Sequence, residues 1–106
     1  MEIEDETLKT AIDEITKGLH NGSLGGHLFK KRIGLKGKGK RGGVRTIVAF
    51  KKDEMAFFIY GFAKNKRANI DESEERALKK LAALLLAYND EALNNAINNN
   101  RLMEVL

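Results

Sequence analysis

The densest group of reactive side chains lies in residues 29–52, which hold ten lysines and arginines and no acid. In the middle of this stretch, residues 36–43 read KGKGKRGG, so cationic side chains alternate with glycine. Glycine lets the backbone approach a phosphate closely, where N–H and ammonium groups can bind it. Arg45 follows at the start of an apolar run, and a guanidinium can make two hydrogen bonds to one phosphate. This chemistry indicates a polyanionic ligand, with nucleic acid as the first choice.

A second cationic group, formed by Lys64, Lys66 and Arg67, follows the next apolar run along the chain. We expect residues 45–51 and 55–63 to form two antiparallel strands of a hairpin. In such a hairpin, the residues near 45 and near 64 lie at the same end of the sheet. The two cationic groups are therefore expected to converge on one site.

The net charge of +4 conceals a strong segregation of charge along the chain. Residues 29–69 carry thirteen bases and two acids, whereas residues 1–28 carry six acids and two bases. Residues 70–106 are acidic as well, with seven acids and four bases. Segregation of this size predicts a central segment that attracts anions between two acidic flanks.

Several classes of protein are excluded by what the sequence lacks. The absence of cysteine excludes disulfide scaffolds, thiolate metal sites and cysteine nucleophiles. There is no apolar run near the roughly 20 residues that span a bilayer, and the acidic N-terminus does not resemble a signal peptide. His20 and His27 lack the spacing of metal ligands, and the glycine-rich segment does not match a nucleotide-binding P-loop. We therefore expect a cytoplasmic protein with no metal, no cofactor and no membrane contact.

The periodicity of apolar residues predicts an α+β fold: a small antiparallel sheet of about three to four strands packed by helices, in one domain spanning residues 1–106. The continuous apolar run at 57–60 predicts that the last of these strands is central in the sheet. Asp71 and Glu74 have the spacing of a helix capping box. The first predicted elements are a helix over 6–20, closed by Gly18 and Gly22, and a loop over 21–26. Strands are predicted over 28–33, 45–51 and 55–63, with a turn at 52–54. Helices are predicted from residue 71 and over 89–98, followed by a strand or tail over 102–105.

The helix that begins at residue 71 carries an apolar stripe formed by Leu78, Leu81, Leu85 and Tyr88. We expect this stripe to pack against the sheet. The carboxylates near its start fit the helix dipole rather than a catalytic pair. Catalysis in this chain is therefore expected to depend on cations.

Catalysis by cations suits RNA, because RNA supplies its own nucleophile, the 2′-hydroxyl next to the phosphate. A lysine crowded by other cations loses its proton more readily and can exchange protons, while an arginine stabilises the extra negative charge of the transition state. DNA lacks the 2′-hydroxyl and would not be cleaved in this way.

Three segments resemble the RelE/HigB-like toxins of bacterial type II toxin–antitoxin systems. They are KGKRGGVRT at 38–46, FFIYGFAKN at 57–65, and the N-I-x-x-x-E pattern that begins at Asn69. The resemblance implies a small metal-independent endoribonuclease that cuts mRNA in the ribosomal A site. It also implies a cognate antitoxin, which we expect to be a helix-turn-helix protein.

The resemblance assigns roles to individual cations. Arg45 matches the strand arginine that faces the scissile phosphate, and the basic loop before it matches the RNA-binding loop that holds a candidate proton-transfer lysine. The catalytic candidates are Lys38, Lys40, Arg45, Lys64 and Arg67, and the RNA-binding candidates are Lys30, Lys31, Lys36, Arg41 and Lys66. The C-terminal segment RLMEVL offers no aromatic proton donor, so the general acid is left open.

Family members usually begin with a strand before their first helix, whereas this chain begins close to the helix. The difference predicts an open strand edge, which the C-terminal segment or a second copy of the chain would cover. It also leaves a noncatalytic RNA- or ribosome-binding module, or an inactive toxin remnant, as the alternative function. A gyrase-directed toxin of the ParE type is the third hypothesis.

Overall fold

The computed structural model describes residues 4–35, 39–52, 55–63 and 69–104, without the side chains of residue 35 and residues 39–42. Neighbouring strands are antiparallel, and their order in the sheet follows the chain. The predicted α+β fold with a small antiparallel sheet is confirmed. Its elements are α1 (Asp5–Thr16), β1 (Gly22–Gly25), β2 (Leu28–Leu35), β3 (Gly39–Lys51), β4 (Met55–Ala63), α2 (Glu72–Leu86) and α3 (Asp90–Asn98).

Strand β3 lies in the middle of the sheet and supplies most of its buried residues. It pairs with β2 on one side and with β4 on the other. Because side chains alternate along a strand, β3 contributes to two separate cores. Ile47 and Ala49 pack with Leu78 and Ala82 of α2 on one face, which we call the α2 face.

The opposite face, which we call the α1 face, carries the second core. Val48 and Phe50 of β3 pack there with Ile15 of α1, and Phe29 of β2 joins them. Both helices lie on β3 and its neighbours, so the sheet is covered on both sides along this part of its length. The inner strand β3 is therefore the most deeply buried part of the sheet from Val44 to Phe50.

Helix α1 ends where glycine permits it. The N–H of Gly18 donates to Ile15 O at 2.9 Å, and the N–H of Leu19 donates to Glu14 O at 2.8 Å. This is the hydrogen-bond pattern of a Schellman motif, and Gly18 adopts the left-handed φ of 85° that the motif requires. The predicted closure of the first helix at Gly18 is confirmed.

Lys31 ties β2 to the end of α1. Its residue is 8% exposed, and its Nζ donates to Leu19 O at 2.9 Å and lies 3.3 Å from Glu14 Oε1. A buried ammonium needs such partners, because removing it from water without them is costly. Lys31 thus holds the helix against the α1 face.

The start of α2 is fixed by the predicted capping box. The carboxylate of Asp71 accepts from the Glu74 N–H at 2.8 Å, and Glu74 Oε1 accepts from the Asp71 N–H at 3.0 Å. The other oxygen of Glu74 accepts from the Tyr60 hydroxyl at 2.9 Å, which connects the helix start to β4. Asn89 caps α3 in a similar way, accepting from the Ala92 N–H at 2.8 Å.

Two strand predictions were wrong. Residues 22–25, predicted as part of a loop, form the edge strand β1, whose pairing is extended when the Asn21 N–H donates to Lys30 O at 2.8 Å. Gly-Ser-Leu-Gly has little strand propensity, so this strand depends on the edge that β2 offers rather than on its own residues. Strand β3 begins at Gly39, so much of the predicted glycine-rich loop is strand.

The predicted central position of β4 was also wrong. Among the described strands β4 pairs with β3 alone, and eight of its nine residues remain at least partly accessible. The aromatic residues of β4 lie on both faces under the helices, which explains its continuous apolar sequence without a second neighbouring strand. On α2 the buried stripe is Leu78, Ala82 and Leu85, while Leu81 is 38% exposed, because it lies to one side of that stripe.

Two further expectations fall partly on residues outside the description. Asp53 and Glu54 of the predicted turn are among them, as is Val105. Residues 101–104 form no strand, so they do not cover an edge of the sheet.

Lys31→Ala is expected to lower the free energy of unfolding by about 1–3 kcal/mol, because it removes a charged hydrogen bond and the packing of the lysine stem. Chemical denaturation monitored by circular dichroism measures the change. Lys9→Ala, at an exposed position of α1, is the control and should stay within about 0.5 kcal/mol. Equal effects of the two substitutions would contradict the structural role of Lys31.

Glu74→Ala is expected to cost about 1–2 kcal/mol, since the Asp71 N–H and the Tyr60 hydroxyl both lose their shared acceptor. Glu75→Ala is a matched control, because it removes the same charge from the same helical turn. It loses only the ion pair of Glu75 with Lys79, worth about 0.5 kcal/mol or less. A cost for Glu75→Ala as large as that for Glu74→Ala would show that helix charge, and not the cap, matters.

Candidate nucleic-acid interface

A row of three side chains crosses the sheet at one end of the α2 face. Arg32 of β2 pairs with Arg45 of β3, and Arg45 pairs with Phe62 of β4. Directly paired residues of neighbouring strands point to the same face, so the two arginines and the phenylalanine lie side by side. A cavity of about 50 Å³ opens at this row, lined by Asn21, Lys30, Lys31, Arg32, Arg45, Thr46, Ile47, Phe62 and Asn69.

Arg45 is held in place by the strand on which it lies. Its neighbours Val44 and Thr46 point to the other face and are buried, with 1% and 4% exposure. The Thr46 hydroxyl donates to Lys31 O at 2.7 Å, which fixes the pairing of β2 with β3 at this point. The half-buried Arg45 side chain is therefore presented from a rigid backbone.

Arg32 is a site residue that the sequence reasoning missed. It is half-buried, and its backbone N–H donates to Asn21 Oδ1 at 2.6 Å. Its Nε is buried and has no hydrogen-bond partner within the described part of the chain. The signal that could have found it is alternation: once Leu28 is assigned to the core, Lys30 and Arg32 share its face, which is also the face of Arg45.

The two lysines predicted to bind RNA from β2 lie on opposite faces. Lys30 is half-buried on the α2 face and lines the cavity beside the arginines. Its stem lies over Gly22 of β1, where a Cβ would come within 3.4 Å of Lys30 Cε. Lys31 points to the α1 face and is bound to the end of α1. Of the two, Lys30 is the one whose side chain accompanies Arg45.

The remaining predicted site residues are only partly covered by the structure. Lys40 and Arg41 belong to β3, although their side chains lie outside the description. Also outside the described residues are Lys36, Lys38, Lys64, Lys66 and Arg67. The geometry expected of the hairpin is confirmed, since Val44 pairs with Ala63 and the end of β4 lies beside Arg45.

An aromatic and an amide side chain, Phe62 and Asn69, also line the described part of the site. Phe62 is 8% exposed, and its ring lies 5.9 Å from that of Tyr60. Asn69, which precedes α2, lines the cavity from the other side. Glu74 of α2 accepts from the Tyr60 hydroxyl and takes part in the capping box.

The described residues hold neither a cluster of metal ligands nor a helix that could span a membrane. No three histidine, aspartate or glutamate side chains in this part of the chain lie close enough together to hold a metal ion. None of the described helices is long and apolar enough to cross a membrane.

The chain matches a known family over nearly its whole length. The model of the family described as the RelE toxin of the RelE/RelB toxin–antitoxin system matches residues 1–105. A comparison with curated proteins returned no match. Toxins of this family pair with antitoxins and act on ribosomes. The chain therefore belongs to the RelE toxin family, the toxin components of toxin–antitoxin systems, which generally cleave mRNA.

Proposed function

We propose that this protein is the toxin of a bacterial type II toxin–antitoxin system, of the RelE/HigB kind, and that it cleaves mRNA in the ribosomal A site without a metal ion. Membership of the RelE family supports the toxin function and the mRNA substrate. The observation that carries the proposal is the position of Arg45, which lies between Arg32 and Phe62 at the end of the sheet. At that position a guanidinium can make two hydrogen bonds to a phosphate.

The reaction that fits a cationic site is transfer of the phosphate within the RNA itself. The 2′-oxygen attacks the adjacent phosphorus and loses its proton to a base of the protein, while the bond from phosphorus to the 5′-oxygen breaks. The leaving 5′-oxygen takes up a proton from an acid of the protein and becomes a 5′-hydroxyl. Charge on the phosphorane peaks in the transition state, so a fixed arginine contributes most at that moment.

The predicted cations other than Lys31 each take a role in this reaction. Arg45 stabilises the phosphorane, and Lys38 or Lys40 transfers a proton, with Lys64 and Arg67 completing the charge around the scissile phosphate. The proposed RNA contacts along the flanking backbone are Lys30, Lys36, Arg41 and Lys66. We assign to Lys31 the support of β2 rather than an RNA contact, since its ammonium group is bound to α1.

The proposed activity also implies partners. The substrate is mRNA held by the ribosome, and a helix-turn-helix antitoxin encoded with the toxin neutralises it. The protein then acts in the cytoplasm, where ribosomes are. A second copy of the chain can pair along an edge of the sheet, since β1 and β4 are edge strands among the described residues.

Arg45→Ala is expected to reduce cleavage of a translated mRNA by about 100-fold or more, the loss typical of one transition-state donor. Primer extension on mRNA from a reconstituted translation reaction measures the cut sites. Arg101→Ala, which removes an exposed arginine after α3, is the control and should cleave normally. Cleavage by Arg45→Ala at the unmodified rate, with its fold intact by circular dichroism, would refute the assignment of Arg45.

Binding to single-stranded RNA should weaken steeply as salt rises, because each phosphate contact releases counterions. Arg45→Ala should lower the slope of log affinity against log salt by roughly 0.7, the value for one phosphate on a single strand. Fluorescence anisotropy with a labelled oligonucleotide measures both. An affinity that does not change with salt would exclude a polyanion ligand. An affinity that falls steeply with salt, together with no cleavage of mRNA on ribosomes, would favour a noncatalytic RNA-binding module.

A further inference from the structure

The second half of α2 is apolar on all sides. Residues 81–88 read LAALLLAY and hold no charged side chain. Ala82 and Leu85 are buried, whereas Leu81 and Leu84 are 38% and 57% exposed. A helix that is apolar on every side is normally buried on every side, so α2 carries more apolar surface than the sheet covers.

The accessible apolar residues form a second stripe on this helix, which we call the outer stripe. It consists of Ala77, Leu81, Leu84 and Tyr88, and spacings of four, three and four residues bring them onto one side of a helix. The N–H of Tyr88 donates to Leu85 O at 3.1 Å, so the helical turn continues past the end of α2 to include Tyr88. Such spacing is typical of the seam along which two helices pack.

An antiparallel contact about a two-fold axis matches the outer stripe to itself. With the axis between residues 82 and 83, Leu81 of one copy lies opposite Leu84 of the other. At both ends of the contact, Ala77 lies opposite Tyr88, so the smallest side chain of the stripe meets the largest. Side chains of complementary size fill the space between two helices evenly, and a two-fold contact uses the same patch on both copies.

The charges on either side of residues 81–88 favour this direction of packing. Arg76 and Lys80 are exposed before these residues, and Asp90 and Glu91 are exposed after them. An antiparallel contact brings the bases of each copy towards the acids of the other, whereas a parallel contact would bring like charges together. The charge order therefore fits a second copy of the chain in the antiparallel direction.

We propose that two copies of this chain associate through the outer stripes of their α2 helices, which pack antiparallel about a two-fold axis. The inference does not rest on the proposed function, since none of the stripe residues belongs to the proposed site. It also differs from pairing along a sheet edge, because the contact is made by helix side chains. The stripe is much smaller than the roughly 20–30 residues a side of a stable complex, so the dimer dissociates on dilution.

Sedimentation velocity of the full chain, at protein concentrations from about 10 μM to 1 mM, measures the monomer–dimer equilibrium of such a weak contact. Leu84→Glu is expected to raise the Kd for dimerisation by at least about tenfold, because it places a carboxylate against the apolar seam of the other copy. Leu19→Glu is the matched control, since Leu19 is also 57% exposed and the change in charge is the same. It should change the Kd by about twofold or less.

Both variants replace an exposed side chain, so circular dichroism and the melting temperature should be alike for the two. Equal Kd values for Leu84→Glu and Leu19→Glu would overturn the proposal, because the contact would then lie elsewhere, for example at a sheet edge. A chain that stays monomeric at the highest concentration would also overturn it and would leave the outer stripe to a different protein.

Disulfide crosslinking tests the direction of packing, and the chain has no cysteine of its own to interfere. Ala77→Cys and Tyr88→Cys are mixed and oxidised, and mass spectrometry identifies the products. Antiparallel packing brings position 77 of one copy near position 88 of the other, within the roughly 7 Å between Cα atoms that a disulfide spans. The two copies of position 77 lie about 16 Å apart along the helices, so they are out of reach of each other.

The expected product is therefore a disulfide between the two variants in the mixture, with none in either variant alone. A mixture of Leu19→Cys with Ala77→Cys measures the background from random collisions. Disulfide formation no higher than this background would overturn the proposal. Disulfides within each variant alone would indicate parallel helices and would overturn the proposed antiparallel contact.

Discussion

The pairing of β3 with both of its neighbours is the constraint on which the rest of the structure depends. From Val44 to Phe50 this strand alternates between two cores, with Arg45 the one residue of that run that is not buried. Because side chains alternate with a period of two, a slip of one residue would carry Ile47 to the wrong face and move Arg45 from the α2 face to the α1 face. The two cores and the site therefore share one register.

Helix α1 and helix α2 enforce that register from opposite sides. Lys31 joins β2 to the end of α1, and Tyr60 joins β4 to the start of α2 through Glu74. These contacts lie within two residues of Arg32 or Phe62 along their strands. The two contacts thus support β2 and β4 next to Arg32 and Phe62. Such support is what a fixed transition-state donor requires, since its benefit depends on its not having to reorganise.

Much of the fold follows from local patterns in the sequence. The capping box at Asp71, the closure of α1 at Gly18 and the strand at 55–63 depend on neighbouring residues, and all three are found in the structure. What local patterns could not predict depends on contacts between distant residues. Strand β1 exists because β2 offers it an edge, and the apolar run of β4 reflects two helices rather than a second neighbouring strand.

The residues of the candidate site were likewise predictable only in part from the sequence. Arg45 could be selected as a candidate from its residue type and from the glycines before it. The position of Arg32 opposite to Arg45 was not, because it requires the register between β2 and β3, and Lys31 next to it appears equally basic in the sequence. Lys31 is bound to the end of α1, whereas Arg32 lies on the face that carries Arg45. Burial and strand pairing distinguish these two residues, and their charge alone does not.

The central claim is that cations of this chain cleave RNA through its own 2′-hydroxyl. The most direct measurement is the chemistry of the cut ends, determined by mass spectrometry on mRNA cleaved in a reconstituted translation reaction. The account predicts a 2′,3′-cyclic phosphate on the upstream fragment and a 5′-hydroxyl on the downstream fragment, and no cut where the A-site 2′-hydroxyl is methylated. A 3′-hydroxyl with a 5′-phosphate, or cleavage of the methylated message at the same position, would contradict it.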